Sequence, residues 1–226
     1  MWKKALLATL TAIQIIVYAG TNDNEHRVFD SREAIAEYAF EAIASRDAKA
    51  LLNTLSPDAI RQGIEIFGSR ENLEAACQEF LNLAPADSIN RMRRNKSQIV
   101  RNMSNDRDLV QINGKWFSNQ NWSEISQAHT IARFVDALLD RNTDALWALL
   151  SAETQARMNQ EANGNQQTLK NNLTDLCKGF VGDKEITTAR ANRNLVIFRL
   201  MRTFPGAGIL TEVDGKYFIN LLPLMR

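Results

Sequence analysis

The chain has 226 residues, 45% hydrophobic and 23% charged, which excludes a disordered or fibrous protein and leaves room for one large domain or two modest ones. Its 27 basic and 26 acidic residues leave a formal charge of +1. Nothing global therefore steers it to nucleic acid or an anionic membrane, and only a local patch can do so.

The opening residues read as a secretory signal. Lys3 and Lys4 form a short basic start, Ala5 to Val17 is apolar apart from threonines and Gln14, and Val17-Tyr18-Ala19 fits a signal peptidase. The run is short for a bilayer span, so cleavage after Ala19 is expected, with no stable membrane span left in the mature chain. Residues 1–19 are then signal and 20–30 a polar leader that contains His26. The expected location is periplasmic or secreted.

From Ser31 onward the pattern is helical. Ile35, Ala39, Ala42 and Ile43 share one helical face, Asp47 is a good N-cap, and the next helix presents Leu51, Leu52 and Leu55. A further helix carries Leu73, Ala76, Cys77 and Phe80. The period then shifts, and Ile89 to Met103 predicts a hairpin turning near Asn95. A second hairpin turns at Asn113-Gly114, a dipeptide suited to positive φ. That turn pairs Ile112 with Lys115 and Val110 with Phe117, and it puts Gln111 and Trp116 on the opposite face.

The same order then repeats. Ser45-Arg46-Asp47-Ala48-Lys49-Ala50-Leu51 is echoed by Asp140-Arg141-Asn142-Thr143-Asp144-Ala145-Leu146, and Cys77 to Phe80 by Cys177 to Phe180. Val110 to Asn119 is echoed by Thr211 to Asn220, with Asp214-Gly215 as the turn. Three matches in register predict a tandem duplication, with domains at 31–122 and 127–222. In the second copy Ile131, Phe134, Val135, Leu138 and Leu139 form the first helical face, and Ile186 to Met201 predicts a hairpin turning near Arg193. Leu195 to Leu200, apolar on both faces, predicts a central strand covered by its own helices and by the sibling sheet. The fold class expected is α+β: two tandem repeats, each with N-terminal helices packed on a curved antiparallel sheet, the two domains packing through their sheets.

Helices ahead of a terminal strand pair that ends in Gly114-Lys115-Trp116-Phe117 or Gly215-Lys216-Tyr217-Phe218 resemble the nuclear-transport-factor-2-like superfamily of cone-shaped domains. The resemblance covers most of Ser31 to Asn119 and Gln127 to Asn220. It implies a cone that in different members serves isomerases, dehydratases or non-catalytic binding modules, so the fold alone assigns no activity.

Catalysis inside a cone needs an acid or base with a shifted pKa. Tyr38 and His129 are the candidates, while Glu41 and the equivalent Asp136 read as solvated carboxylates. No metal-ligand spacing occurs, so neither metal nor cofactor is expected. Cys77 and Cys177 read as buried thiols, with one interdomain disulfide as the alternative.

Basic residues gather at Arg91, Arg93, Arg94, Lys96, Arg101 and Arg107, and again at Arg190, Arg193, Arg199 and Arg202. Charged edge strands explain most of these. Arg101 and Arg199, each set among apolar neighbours, are candidate ligand contacts together with Trp116 and Tyr217. Trp116 alone, on a near-neutral chain, does not suggest nucleic acid. The expected function is a non-catalytic binding or assembly module for a small ligand, peptide or cell-envelope partner. The alternatives are an isomerase- or hydrolase-like enzyme with its site inside one cone, and a scaffold filled by Phe40, Phe134 and Trp147.

Overall fold

The computed structural model describes residues 29–225. The signal segment and His26 lie outside them. The chain divides into two units, Met1–Glu124 and Ile125–Arg226.

The first unit runs α1 (Arg32–Ser45), α2 (Ala48–Leu52), α3 (Pro57–Phe67), α4 (Arg70–Leu83), α5 (Ala86–Arg94) and α6 (Lys96–Ser104), then strands β1 (Leu109–Ile112) and β2 (Lys115–Ser118). The second starts with α7 (Ser123–Leu139), whose first two residues precede the boundary. It continues with α8 (Thr143–Leu149), α9 (Ala152–Glu161), α10 (Gln166–Phe180), α11 (Ile186–Ala191) and α12 (Arg193–Thr203), and β3 (Leu210–Val213) and β4 (Lys216–Ile219) close it. Apart from a 3-10 turn at Leu222–Leu224 that closes the second, the described residues of the two units carry the same elements in the same order.

Helix accounts for 66% of the described residues and strand for 9%. The expected α+β cones with curved sheets are therefore overturned: each sheet is a single antiparallel hairpin. Both supposed early hairpins are helix pairs instead, α5–α6 and α11–α12. Leu195 to Leu200, expected as a doubly covered central strand, lies within α12, so the sheet-to-sheet contact built on it loses its basis.

The physical reason lies in tertiary packing. Ile89 and Met92 stand one helical turn apart and are both buried, so α5 seats a stripe on the core. Asp87 lies in its first turn and Arg91, Arg93 and Arg94 in its last, matching the helix dipole at both ends. The breaks foreseen near Asn95 and Arg193 are real, but they bend a helix rather than reverse a strand. Asn95 (φ −110°, ψ 22°) and Asn192 (φ −108°, ψ 20°) each end one helix and start the next. Each side-chain amide donates to the carbonyl four residues back, on Arg91 at 2.9 Å and Thr188 at 2.8 Å.

Local signals explain the remaining elements. Ser31, Asp47, Ser56 and Ser69 cap the first four helices through side-chain oxygens, and Asn142, Ser151 and Asn165 do the same for α8, α9 and α10. The terminal hairpins take the register read from the sequence: Ile112 faces Lys115 and Val110 faces Phe117, while Glu212 faces Tyr217 and Thr211 faces Phe218. Both turns use positive φ twice, 52° and 79° at Asn113-Gly114, 51° and 75° at Asp214-Gly215. Each hairpin docks by one parallel bridge, Leu55 to Ser118 or Leu150 to Ile219.

The cores are helical. Ile35, Phe40, Ile43, Leu51, Leu52 and Leu73 are enclosed in the first unit, and Ile131, Phe134, Leu146 and Cys177 in the second. The Phe134 ring stands edge-on to Phe180 at 5.5 Å and Phe204 at 5.9 Å.

Candidate functional site

The polar side chains with the best geometry form a repeated frame. Arg46 and Arg141 close α1 and α7 at positive φ, 58° and 53°. From there the Arg46 guanidinium donates to Ala84 O at 2.6 Å, at the end of α4. Arg141 reaches the corresponding end of α10, donating to Cys177 O and Val181 O at 2.6 Å each and to the Asp183 carboxylate at 2.7 Å. Carbonyls at a helix end call for such donors, and Cys177 O takes the Val181 N–H at 3.1 Å besides.

A second device ties the outer helix pair to the first helix. Arg93 donates to Ala44 O at 2.9 Å, and Arg190 to Leu139 O at 3.1 Å. The first residue of the outer helix adds an ion pair. Lys96 holds Glu41 at 2.8 Å and Glu37 at 3.3 Å, and Arg193 grips both oxygens of Asp136 at 2.6 and 2.5 Å. Hydrogen bonds to Glu41 and then Glu37 push the Lys96 pKa up. Glu41 and Asp136 are therefore ion-pair partners in the frame. The sequence reading missed this role for Arg46, Arg141, Arg93 and Arg190, although Arg46 and Arg141 stand inside the strongest repeat match.

The candidate ligand contacts do not converge. Arg101 lies exposed on α6, and its carbonyl accepts from Ser104 Oγ and Asn105 Nδ2 at 3.0 and 2.7 Å. Over Trp116 sits Arg32, not Arg101, with its guanidinium carbon 4.8 Å from the ring centre. Arg32 also donates to Ser104 O and Leu109 O. Tyr217 donates its hydroxyl to its cross-strand neighbour Glu212 at 2.7 Å, and its carbonyl accepts from Thr130 Oγ1 at 3.1 Å. Arg199 lies exposed on α12, one position out of step with Arg101 when each is counted from its preceding asparagine break.

Tyr38 is half-buried with its ring 5.3 Å from Phe29, and His129 is half-buried within α7. Cys77 and Cys177 are free, buried thiols, so the interdomain disulfide is not made. Burial pushes Cys77 up to about 12, with Glu74 adding to the effect. Burial also pushes Cys177 up, partly opposed by the Arg141 guanidinium. Among the described residues no three His, Cys, Asp or Glu side chains gather as a metal site, and no helix is long and apolar enough to cross a membrane.

One carboxylate is out of place. Glu124 is half-buried, its Oε2 has no hydrogen-bond partner among the described residues, and burial pushes its pKa above the ordinary 4.5. A raised carboxyl pKa costs nothing below pH 4.5 and removes stability as pH rises through the shifted value. Glu124→Gln is therefore expected to unfold at higher denaturant than the parent at neutral pH, with the two curves merging below pH 4.5. A gap that persists unchanged in acid would contradict this.

Compared with known protein families, characterised proteins and solved structures, the chain matches none of them.

Proposed function

We propose that the chain is an exported, non-catalytic binding or assembly module made by tandem duplication of one helical unit. The observation that carries this reading is the repeated frame. The guanidinium at the first turn, the arginine on the first-helix carbonyl and the ion pair at the start of the outer helix recur at matching places in both units. Charges placed twice in this way hold helices together, which leaves binding to the faces on which the units differ. The basic start and apolar run before Ala19 support export.

The test is direct. Produced with its own N-terminus in a secreting bacterial host, the protein should be recovered outside the cytoplasm with the mass of a chain starting at Gly20. Retention of the uncleaved chain in the cytoplasm would remove the export half of the proposal. A turnover abolished by Tyr38→Phe or His129→Gln, in a variant that keeps its helical circular dichroism, would replace the module with an enzyme.

A further inference from the structure

The outer helices α6 and α12 occupy the same place in the two units yet present different outer faces. α6 turns Gln98, Arg101 and Asn102 outward, and Gln98 donates to Asn102 at 2.8 Å. α12 has only Ile197 buried. Its opposite face carries Leu195, Arg199 and Arg202 at helical spacing, with the half-buried Phe198 beside them. Leu195 is 46% exposed, on a chain where few large apolar side chains are exposed among the described residues.

The charge of this helix is unbalanced, with three arginines and no Asp or Glu between Arg193 and Thr203. Residues 186–211 contain no Asp or Glu and four arginines. Arg190 and Arg193 are spent on the frame, paired with Asp140 at 2.9 Å and Asp136 at 2.5 Å. The Arg199 carbonyl accepts from Thr203 Oγ1 at 3.3 Å, but the guanidiniums of Arg199 and Arg202 have no hydrogen-bond or ion-pair partner among the described residues. Two unneutralised guanidiniums on the same face as an exposed leucine and a phenylalanine edge match an anionic lipid surface: the cations meet phosphate headgroups and the apolar side chains enter the boundary below them. A polyanion with no apolar layer would leave Leu195 and Phe198 unmatched.

We infer that the outer face of α12, through Leu195, Phe198, Arg199 and Arg202, docks the second unit on anionic phospholipid. This deepens the binding-module reading and rests on it. Failure of that reading shows as turnover, whereas failure of this one shows as absent vesicle binding.

The test uses protein recovered from the secreting host, sedimented with vesicles of equal parts phosphatidylglycerol and phosphatidylcholine, or of phosphatidylcholine alone. Binding is expected only to the anionic vesicles. Arg199→Gln and Arg202→Gln should each weaken it about fivefold, and Leu195→Ser by about threefold to tenfold. Arg101→Gln, which removes the same charge from α6, should leave it unchanged. The inference is overturned by equal binding to both vesicles, by no binding to either, or by an Arg101→Gln loss as large as that of Arg199→Gln. Insensitivity to Leu195→Ser alongside loss in the arginine variants would also overturn it, since it would indicate a soluble polyanion as partner.

Discussion

Phe134→Ala is expected to destabilise the second unit by about 3–5 kcal/mol, the range for removing a fully enclosed aromatic side chain. Phe134 is 0% exposed and joins α7 to the ends of α10 and α12 through its contacts with Phe180 and Phe204. Phe180 is 37% exposed and Phe204 4%, so the void would open beneath a surface ring, and Phe180 could sink to fill part of it. The lower end of the range is then the better expectation. Two units need not unfold in one step, so the measurement is hydrogen exchange resolved along the chain. Amides of α7 and α10 should lose protection while those of α1 and α4 keep theirs. Equal loss in both units would mean that the units unfold as one.

Arg141→Ala should cost about 2–4 kcal/mol, because its charge-assisted hydrogen bonds to Cys177 O, Val181 O and Asp183 disappear, leaving Val181 O without its donor while Cys177 O keeps the Val181 N–H at 3.1 Å. Most of that belongs to Cys177 O and Val181 O. The Asp183 carboxylate is 72% exposed, and an exposed ion pair contributes little. Arg141→Lys should recover only a minor share, since an ammonium cannot span two carbonyls as a fork does. Arg141→Gly should cost about 1 kcal/mol less than the alanine variant, because glycine relieves the positive φ. Arg46→Ala should cost less than Arg141→Ala, having one strong carbonyl contact against two. Denaturant midpoints at constant slope measure all four. A lysine variant as stable as the parent would show that charge alone suffices and that the fork is irrelevant.

Much of the fold could be read where a local rule decides. Asp47 and Asn142 cap helices because a short polar side chain ahead of an apolar stripe has one good use. Asn113-Gly114 and Asp214-Gly215 fixed turn type, register and the sharing of faces within each hairpin. The error came where local preference and packing disagree. Val196, Ile197 and Phe198 favour strand by shape, yet a helix here buries Ile197 and sets Arg193 against Asp136, and the tertiary gain overrides the preference. Misreading those segments as sheet led on to the cone. The frame arginines were hidden for another reason: Arg46 and Arg141 act across 38 and 36 to 42 positions of chain, a reach no periodicity reveals. The repeat itself carried the clue, since a guanidinium kept in the same tight turn of both copies is an unusual choice where glycine or asparagine is the easy residue.

The asparagine breaks at Asn95 and Asn192 separate two mechanical duties. The polar anchors of the last helix sit at its two ends and its buried side chains, Met103 in α6 and Ile197 in α12, face the core, so the outer surface between bears none of the load. Residues there can be traded without loosening anything beneath them. On the proposed reading that surface is an interchangeable grip on a fixed handle, and two units of like build let one grip change while the other stays plain.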